Sequence, residues 1–181
     1  IGLTIAIFCA GTPTTRATYR LLEHLGVDDP ADVVAIRYRG HGWPGETTVT
    51  IRTADGLEKR SLPYGTAWGE ILSRDRQWRC QICPDHTGEF ADLSIGDPWR
   101  HTPRPGDRGS SLILVRTERG QRMLHHAIDR GHLIGRRVAA SSLPESQPNL
   151  LRARGAVWGR LLACRLFRIP TPWYEGVPMF R

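Results

Sequence analysis

The chain has 181 residues, 25 of them Lys or Arg and 18 Asp or Glu, for a formal net charge of +7. That length suits one domain, or a domain with a tail, and is enough to bury a core. With 40% hydrophobic and 24% charged residues it reads as globular, and collagen-like, coiled-coil and disordered classes are excluded. The longest apolar stretch, Ile1–Ala10, is far short of the ~20 residues of a membrane span. Four cysteines are too few for a disulfide scaffold.

The predicted elements run as follows. Ile1–Phe8 reads as a buried, parallel strand. The chain opens on Ile1 without a charged leader, so it is expected to lack an upstream segment and not to carry a secretory signal. Thr14 or Thr15 caps a helix to about Leu25, with Ala17, Leu21, Leu22 and Leu25 on one face and Gly26 ending it. Val33–Arg39 is a second strand, and Gly40–Gly45 a tight loop. Thr48–Thr53 and Leu57–Leu62 alternate around Ala54-Asp55-Gly56 as a hairpin.

A short helix is expected over Trp68–Leu72, then a cysteine-bearing loop, Arg79–Glu89. Phe90–Gly96 is a strand, and Asp97–Ser110 a mobile Pro/Gly/Arg loop. Ser111–Arg116 is a strand and Gln121–Arg130 a helix closed by Gly131. The polar stretch Ser141–Asn149 is a linker. Leu150–Phe167 is a basic amphipathic helix before a Pro-rich tail. The order implies an α/β fold: a mixed, partly parallel sheet with flanking helices, an inserted β-hairpin and a C-terminal helical tail. The expected domain lies at 1–135, the linker at 136–149, and the basic helix with its tail at 150–181.

Charge is unevenly spread. Residues 1–97 carry 10 basic and 13 acidic side chains, the remainder 15 and 5, and every basic residue but Lys59 is arginine. Arginine forks suit phosphate and carboxylate ligands; an arginine-biased genome explains the count equally well. The aromatics do not alternate with the arginines as a base-stacking platform requires, so no nucleic-acid role is expected. The basic helix suits an anionic membrane surface, and docking to the core or a partner subunit even better. No transmembrane segment is expected.

The chemistry-bearing residues fall into loops. Cys80-Gln81-Ile82-Cys83 presents two thiolates to one metal. Cys9, at a strand end, is a candidate third. Spacing alone leaves three readings open: an iron–sulfur cluster on Cys9, Cys80 and Cys83; a zinc site using these with His86 or His41; or ordinary packing. Cys164, among leucines, reads as packing. Gly11-Thr12-Pro13-Thr14-Thr15 between strand and helix offers backbone N–H groups and hydroxyls to an anion, or the threonines simply cap the helix. The glycines of Arg39-Gly40-His41-Gly42-Trp43-Pro44-Gly45 permit close approach to a flat ligand, and Trp43 is either a stacking face or a hydrophobic plug. In Gly96-Asp97-Pro98-Trp99, Asp97 accepts a ligand hydrogen bond or caps the loop.

The segments Phe8–Pro13, Tyr38–Gly45, Arg79–Asp85 with Glu89, and Ala91–Trp99, in this order, resemble the C-terminal domain of the coenzyme F420 hydrogenase/dehydrogenase beta subunit family over about residues 1–135. The resemblance implies an iron–sulfur flavoprotein that binds FAD and a [4Fe–4S] cluster. It implies electron relay between a ferredoxin-like donor protein and a two-electron acceptor such as coenzyme F420. Carried over, Cys9, Cys80 and Cys83 become cluster ligands. Gly11, Thr12, Pro13, Arg39, Gly40, Gly42, Trp43, Gly45, Gly96, Asp97 and Trp99 become flavin-site residues. Where many relatives read Gly-Thr-Pro-Cys, Thr14 stands here, which leaves the fourth cluster ligand open. Relatives also carry a further N-terminal domain, the segment expected upstream. Arg100, Arg104 and Arg108 suit FAD pyrophosphate or an acidic acceptor tail, and thiolate-bound iron implies a reducing cytoplasm. The competing expectation is a zinc-stabilised or cofactor-free binding or scaffold domain.

Overall fold

A computed structural model describes residues 2–100, 106 and 108–177. It is a mixed α/β fold whose chain divides into two compact units. The first comprises Ile1–Ala10, Gln81–Thr102 and Ser110–Arg181; the second comprises Gly11–Cys80 and Pro103–Gly109.

The first unit is built on a three-stranded mixed sheet. β1 (Ile5–Ile7) pairs parallel with β5 (Leu93–Gly96), and β5 pairs antiparallel with β6 (Leu112–Val115). The parallel pairing is as expected; the burial is not. Ile5 and Ile7 are 57% and 74% exposed, because β1 is the edge strand and has a partner on one side only. Gly96 allows the close fit across this pair, since a Cβ there would run into the Phe8 ring. Helix α3 (Glu118–Asp129) follows β6. It begins three residues before the expected Gln121 because Thr117 caps it, accepting from the Gly120 N–H at 3.1 Å.

Two expectations for the tail give way. Within Ser141–Asn149, read as a linker, residues Ser142–Ser146 form the short helix α4, and Ser142, Ser146 and Gln147 are buried. Gln147 Nε2 donates to the Asp97 carbonyl at 2.5 Å. The basic helix is two helices, α5 (Pro148–Gly155) and α6 (Val157–Leu166), with the break at Gly155-Ala156; glycine is a poor helix former. Val157, Leu161 and Cys164 bury against Ile82, with Tyr174 packed alongside. The tail therefore docks on its own unit, and Cys164 is a packing residue.

The second unit holds α1 (Thr15–His24) and an antiparallel sheet of β2 (Val33–Gly40), β3 (Glu46–Thr53) and β4 (Gly56–Pro63). The hairpin turns at Ala54-Asp55, as expected. Thr14 caps α1 through its side chain, bonding the Ala17 N–H at 3.1 Å. Ala17 and Leu21 pack with Ala67 and Leu72; Leu22 packs with Val27, Val49 and Ile51. The helix expected at Trp68–Leu72 is a π-helical turn, Gly65–Ile71, continued by a 3-10 turn, Leu72–Arg74. A last short helix, α2 (Trp78–Gln81), carries Cys80.

Candidate functional site

Cys80 lies beside the Gly11-Thr12-Pro13 segment. The backbone zips this segment antiparallel to Asp75–Gln77: Gln77 N–H donates to Thr12 O at 2.8 Å, Thr14 N–H to Asp75 O at 2.8 Å, and Pro13 faces Arg76 in a single bridge. Gly11, at φ +115°, passes so near that a Cβ would lie 3.1 Å from Cys80 Cβ and 3.0 Å from Arg76 Cδ. Thr12 N–H then points at Cys80 Sγ, 3.3 Å away. The N–H groups expected to meet an anion are thus engaged at two positions: Thr12 serves the sulfur and Thr14 the Asp75 carbonyl. Arg16 bonds Asp75 Oδ2 at 2.6 Å, and this pair holds the Asp75 carboxyl below its ordinary range.

The 40–45 loop is built as a tight reversal. His41, Gly42 and Gly45 have φ of 58°, 104° and 87°. A Cβ on Gly45 would run into Gly40 O and stand 3.0 Å from Gly42 O. Arg39 closes the loop by donating Nε–H to Pro44 O at 2.6 Å, and its guanidinium lies 5.2 Å from the Tyr64 ring centre. Trp43 is half buried, and the Gly109 backbone approaches its ring so closely that a Cβ there would meet Cγ at 2.5 Å. Part of the Trp43 surface is therefore already covered. Gly45→Ala adds the backbone clash to an unfavourable φ. It is expected to lower stability by about 1–3 kcal/mol, read as an earlier urea midpoint; an unchanged midpoint would show that the reversal is not built this way.

In the first unit the Ala91–Trp99 segment centres on Asp92, which is only 2% exposed. Its Oδ2 accepts from Thr4 N–H at 2.8 Å and Thr4 Oγ1 at 2.7 Å; its Oδ1 accepts from Thr117 Oγ1 at 2.6 Å. Arg119 Nε–H bridges both oxygens at 3.0 and 3.1 Å. These bonds, Arg119 first, hold the carboxyl far below the usual carboxylate range, against the opposing effect of burial. Asp92 ties β1, β5 and the α3 cap together. Sequence reasoning assigns it no role of its own, although the Thr-x-Arg at 117–119 opening a helix is a visible anion-holding pattern. Downstream, Asp97 and Trp99 are half buried. Arg100 faces Ser142 and Glu145 at 3.4 and 3.5 Å, so an internal carboxylate already shares its charge. Arg108 is exposed; Arg104 lies outside the described residues.

The Cys83 loop is fixed from two sides. Cys83 Sγ contacts Asp85 O at 3.5 Å, and Asp85 Oδ1 accepts the Glu89 N–H at 2.9 Å. Arg154 of α5 pairs with Glu89, and Arg160 of α6 donates to Gln81 O at 2.8 Å. Cys9 is joined to His86 twice: its N–H donates to His86 O, and its carbonyl faces His86 Nδ1, both at 2.9 Å. None of Cys9, Cys80 and Cys83 is in a disulfide, and all three are half buried. Among the described residues no three His, Cys, Asp or Glu side chains are gathered as a metal site. The thiols are present as donors rather than as an assembled ligand set.

The family model that matches residues 1–140 describes the C terminus of the coenzyme F420 hydrogenase/dehydrogenase beta subunit. The chain belongs to that family. A chain in the structure of the F420-reducing [NiFe] hydrogenase complex from Methanosarcina barkeri is similar to this beta subunit-like chain, at 15% identity and a TM-score of 0.55. The match covers 98% of this chain and 56% of that one, so this chain spans little more than half its length and shares its fold. No curated protein matches the sequence. Membership sets the beta subunit-like chain in an oxidoreductase context linked to coenzyme F420. No helix among its described residues is long and apolar enough to cross a membrane.

Proposed function

We propose that this beta subunit-like chain is part of an iron–sulfur flavoprotein. It would relay electrons between a ferredoxin-like donor or partner subunit and a two-electron acceptor such as coenzyme F420. Cys9, Cys80 and Cys83 would hold a [4Fe–4S] cluster, and the Gly11–Pro13, Arg39–Gly45 and Gly96–Trp99 segments would bind FAD. The observation that carries this reading is the Thr12 N–H aimed at Cys80 Sγ. Peptide N–H groups directed at cluster sulfurs are one of the means by which a protein sets a cluster's potential. The donor chemistry agrees: three half-buried thiols, none in a disulfide, are what a cluster needs and what a reducing cytoplasm preserves. When bound, FAD supplies the exchange between one-electron and two-electron carriers.

The chain's own residues would do the rest. Gly11 lets the backbone pass close to the sulfur-bearing helix, and the 40–45 reversal offers a rigid rim pinned by Arg39. Arg108 and Arg104 would attract the acidic tail of an acceptor. Arg104→Ala is expected to weaken acceptor binding and make it less salt-dependent, since one fewer charge is screened; equal affinity at all salt concentrations would remove that role.

The test is anaerobic purification followed by iron, sulfide and flavin analysis. Roughly four irons per chain are expected, with near-complete loss in Cys80→Ser. Flavin should be retained at close to one per chain. A colourless protein that releases zinc on acidification would make the chain a zinc-stabilised binding domain, and one free of metal and flavin would make it a scaffold. Either result overturns the relay.

A further inference from the structure

We propose that the outward face of α5, α6 and the segment after them is a docking surface for an anionic lipid bilayer. This surface requires neither the cluster nor the flavin of the reading above. A surface helix ordinarily turns apolar residues inward and polar ones outward. α6 does the first, seating Val157, Leu161 and Cys164 on Ile82, but not the second. Trp158, Leu162 and Leu166, spaced i, i+4 and i+8, form a further apolar stripe on its outer side, and all three are exposed. The chain then turns. Arg168 takes a left-handed φ of 56°, and Ile169 N–H bonds Cys164 O at 2.8 Å, which closes the helix end. The segment beyond folds back beside α6. Tyr174 packs on the Ile82 cluster, while Trp173 faces outward with Arg165 Cζ 6.0 Å from its ring centre. Leu166, Phe167 and Trp173 are 74%, 78% and 80% exposed. These apolar side chains therefore stand on a braced surface, not on a loose end.

Charge decides what this face meets. Residues 148–174 hold five arginines and no Asp or Glu. Arg154 and Arg160 are engaged by Glu89 and the Gln81 carbonyl. Arg152, Arg165 and Arg168 are exposed, and among the described residues no carboxylate pairs with them. A second copy of the chain would bring like charges together. A folded protein partner needs polar groups to fix its register, about one hydrogen bond per 100–200 Å². Yet apart from arginine, every exposed position from 151 to 173 is apolar, Gly or Pro. A bilayer asks for no such register. Leu, Phe and Trp enter the headgroup boundary, and arginines reach lipid phosphates on flexible stems.

The test is flotation of the full chain with vesicles of equal parts phosphatidylglycerol and phosphatidylcholine, or of phosphatidylcholine alone, at low and high salt. The chain is expected to float with the anionic vesicles only, and to come off as salt rises. Arg152→Gln, Arg165→Gln and Arg168→Gln together should weaken binding on the order of 100-fold, about five-fold for each charge. Leu166→Ser with Phe167→Ser should abolish binding and leave the melting temperature unchanged, since both side chains are exposed. Wild-type protein that does not float with anionic vesicles overturns the proposal, and so does equal flotation with neutral ones. Binding retained by the Leu166→Ser, Phe167→Ser variant would show adhesion by charge alone and overturns it too. Sedimentation that finds a dimer which this variant separates gives the face to a second copy instead. The wild-type arms need no substitution, so a variant that fails to fold does not decide the outcome.

Discussion

Asp92→Asn is expected to lower the melting temperature by several degrees, among the largest effects of any single substitution in this chain. The side chain keeps its shape but loses the charge that five donor contacts converge on: two from Thr4, one from Thr117 and two from Arg119 Nε. An amide presents its own N–H groups to some of those donors and leaves the Arg119 charge without its partner. The pH dependence follows from the direction of the shift. The folded-state carboxyl lies below its ordinary value, so the stabilisation is complete above the unfolded value of about 4. It is lost as pH falls from there toward the folded value. The gap between wild type and Asp92→Asn should therefore be widest near neutrality and narrow below about pH 4. Melting curves across that range check it, and a gap that widens on acidification would contradict the assigned ion pair.

Ile82→Ala is the second large effect. Ile82 is fully buried, enclosed by Val157, Leu161 and Cys164. Its truncation should cost about 2–5 kcal/mol, seen as a lower urea midpoint with the slope retained. The same variant should bind less iron on reconstitution, because the turn that carries Cys83 loses its packing anchor. Wild-type stability in Ile82→Ala would mean that α6 does not brace the turn.

Much of the fold is readable from local chemistry. The Thr14 cap, the Ala17/Leu21/Leu22 face, the 48–62 hairpin and the parallel pairing of the first strand all follow from short-range patterns, where cap chemistry and periodicity decide. What stays hidden depends on distant partners. Asp92 is held by Thr4, 88 residues away, and by Thr117 and Arg119, 25 and 27 residues away; no window along the chain contains them together. The 141–149 stretch has the polar composition of a linker. Ser142, Ser146 and Gln147 are buried all the same, and Gln147 gives its amide to a carbonyl 50 positions upstream. The exposure of Ile5 and Ile7 reflects sheet order, which an apolar run does not disclose. For the candidate site, the cysteines and glycine loops stand out as motifs. The Thr12–Cys80 contact does not, since it is a matter of direction rather than composition.

The seating of Ile82 has a consequence for how this sequence can drift. This inner residue of the C-x-x-C turn lies inside the family-matched region, 1–140, while the side chains that enclose it, Val157, Leu161 and Cys164, lie beyond it. A larger or smaller residue at 82 can be accommodated only if the volume opposite changes in compensation. Natural variants of this chain should therefore exchange bulk between position 82 and positions 157, 161 and 164 in step, and chimaeras that swap the tail between distant relatives should lose the turn's order unless residue 82 travels with it.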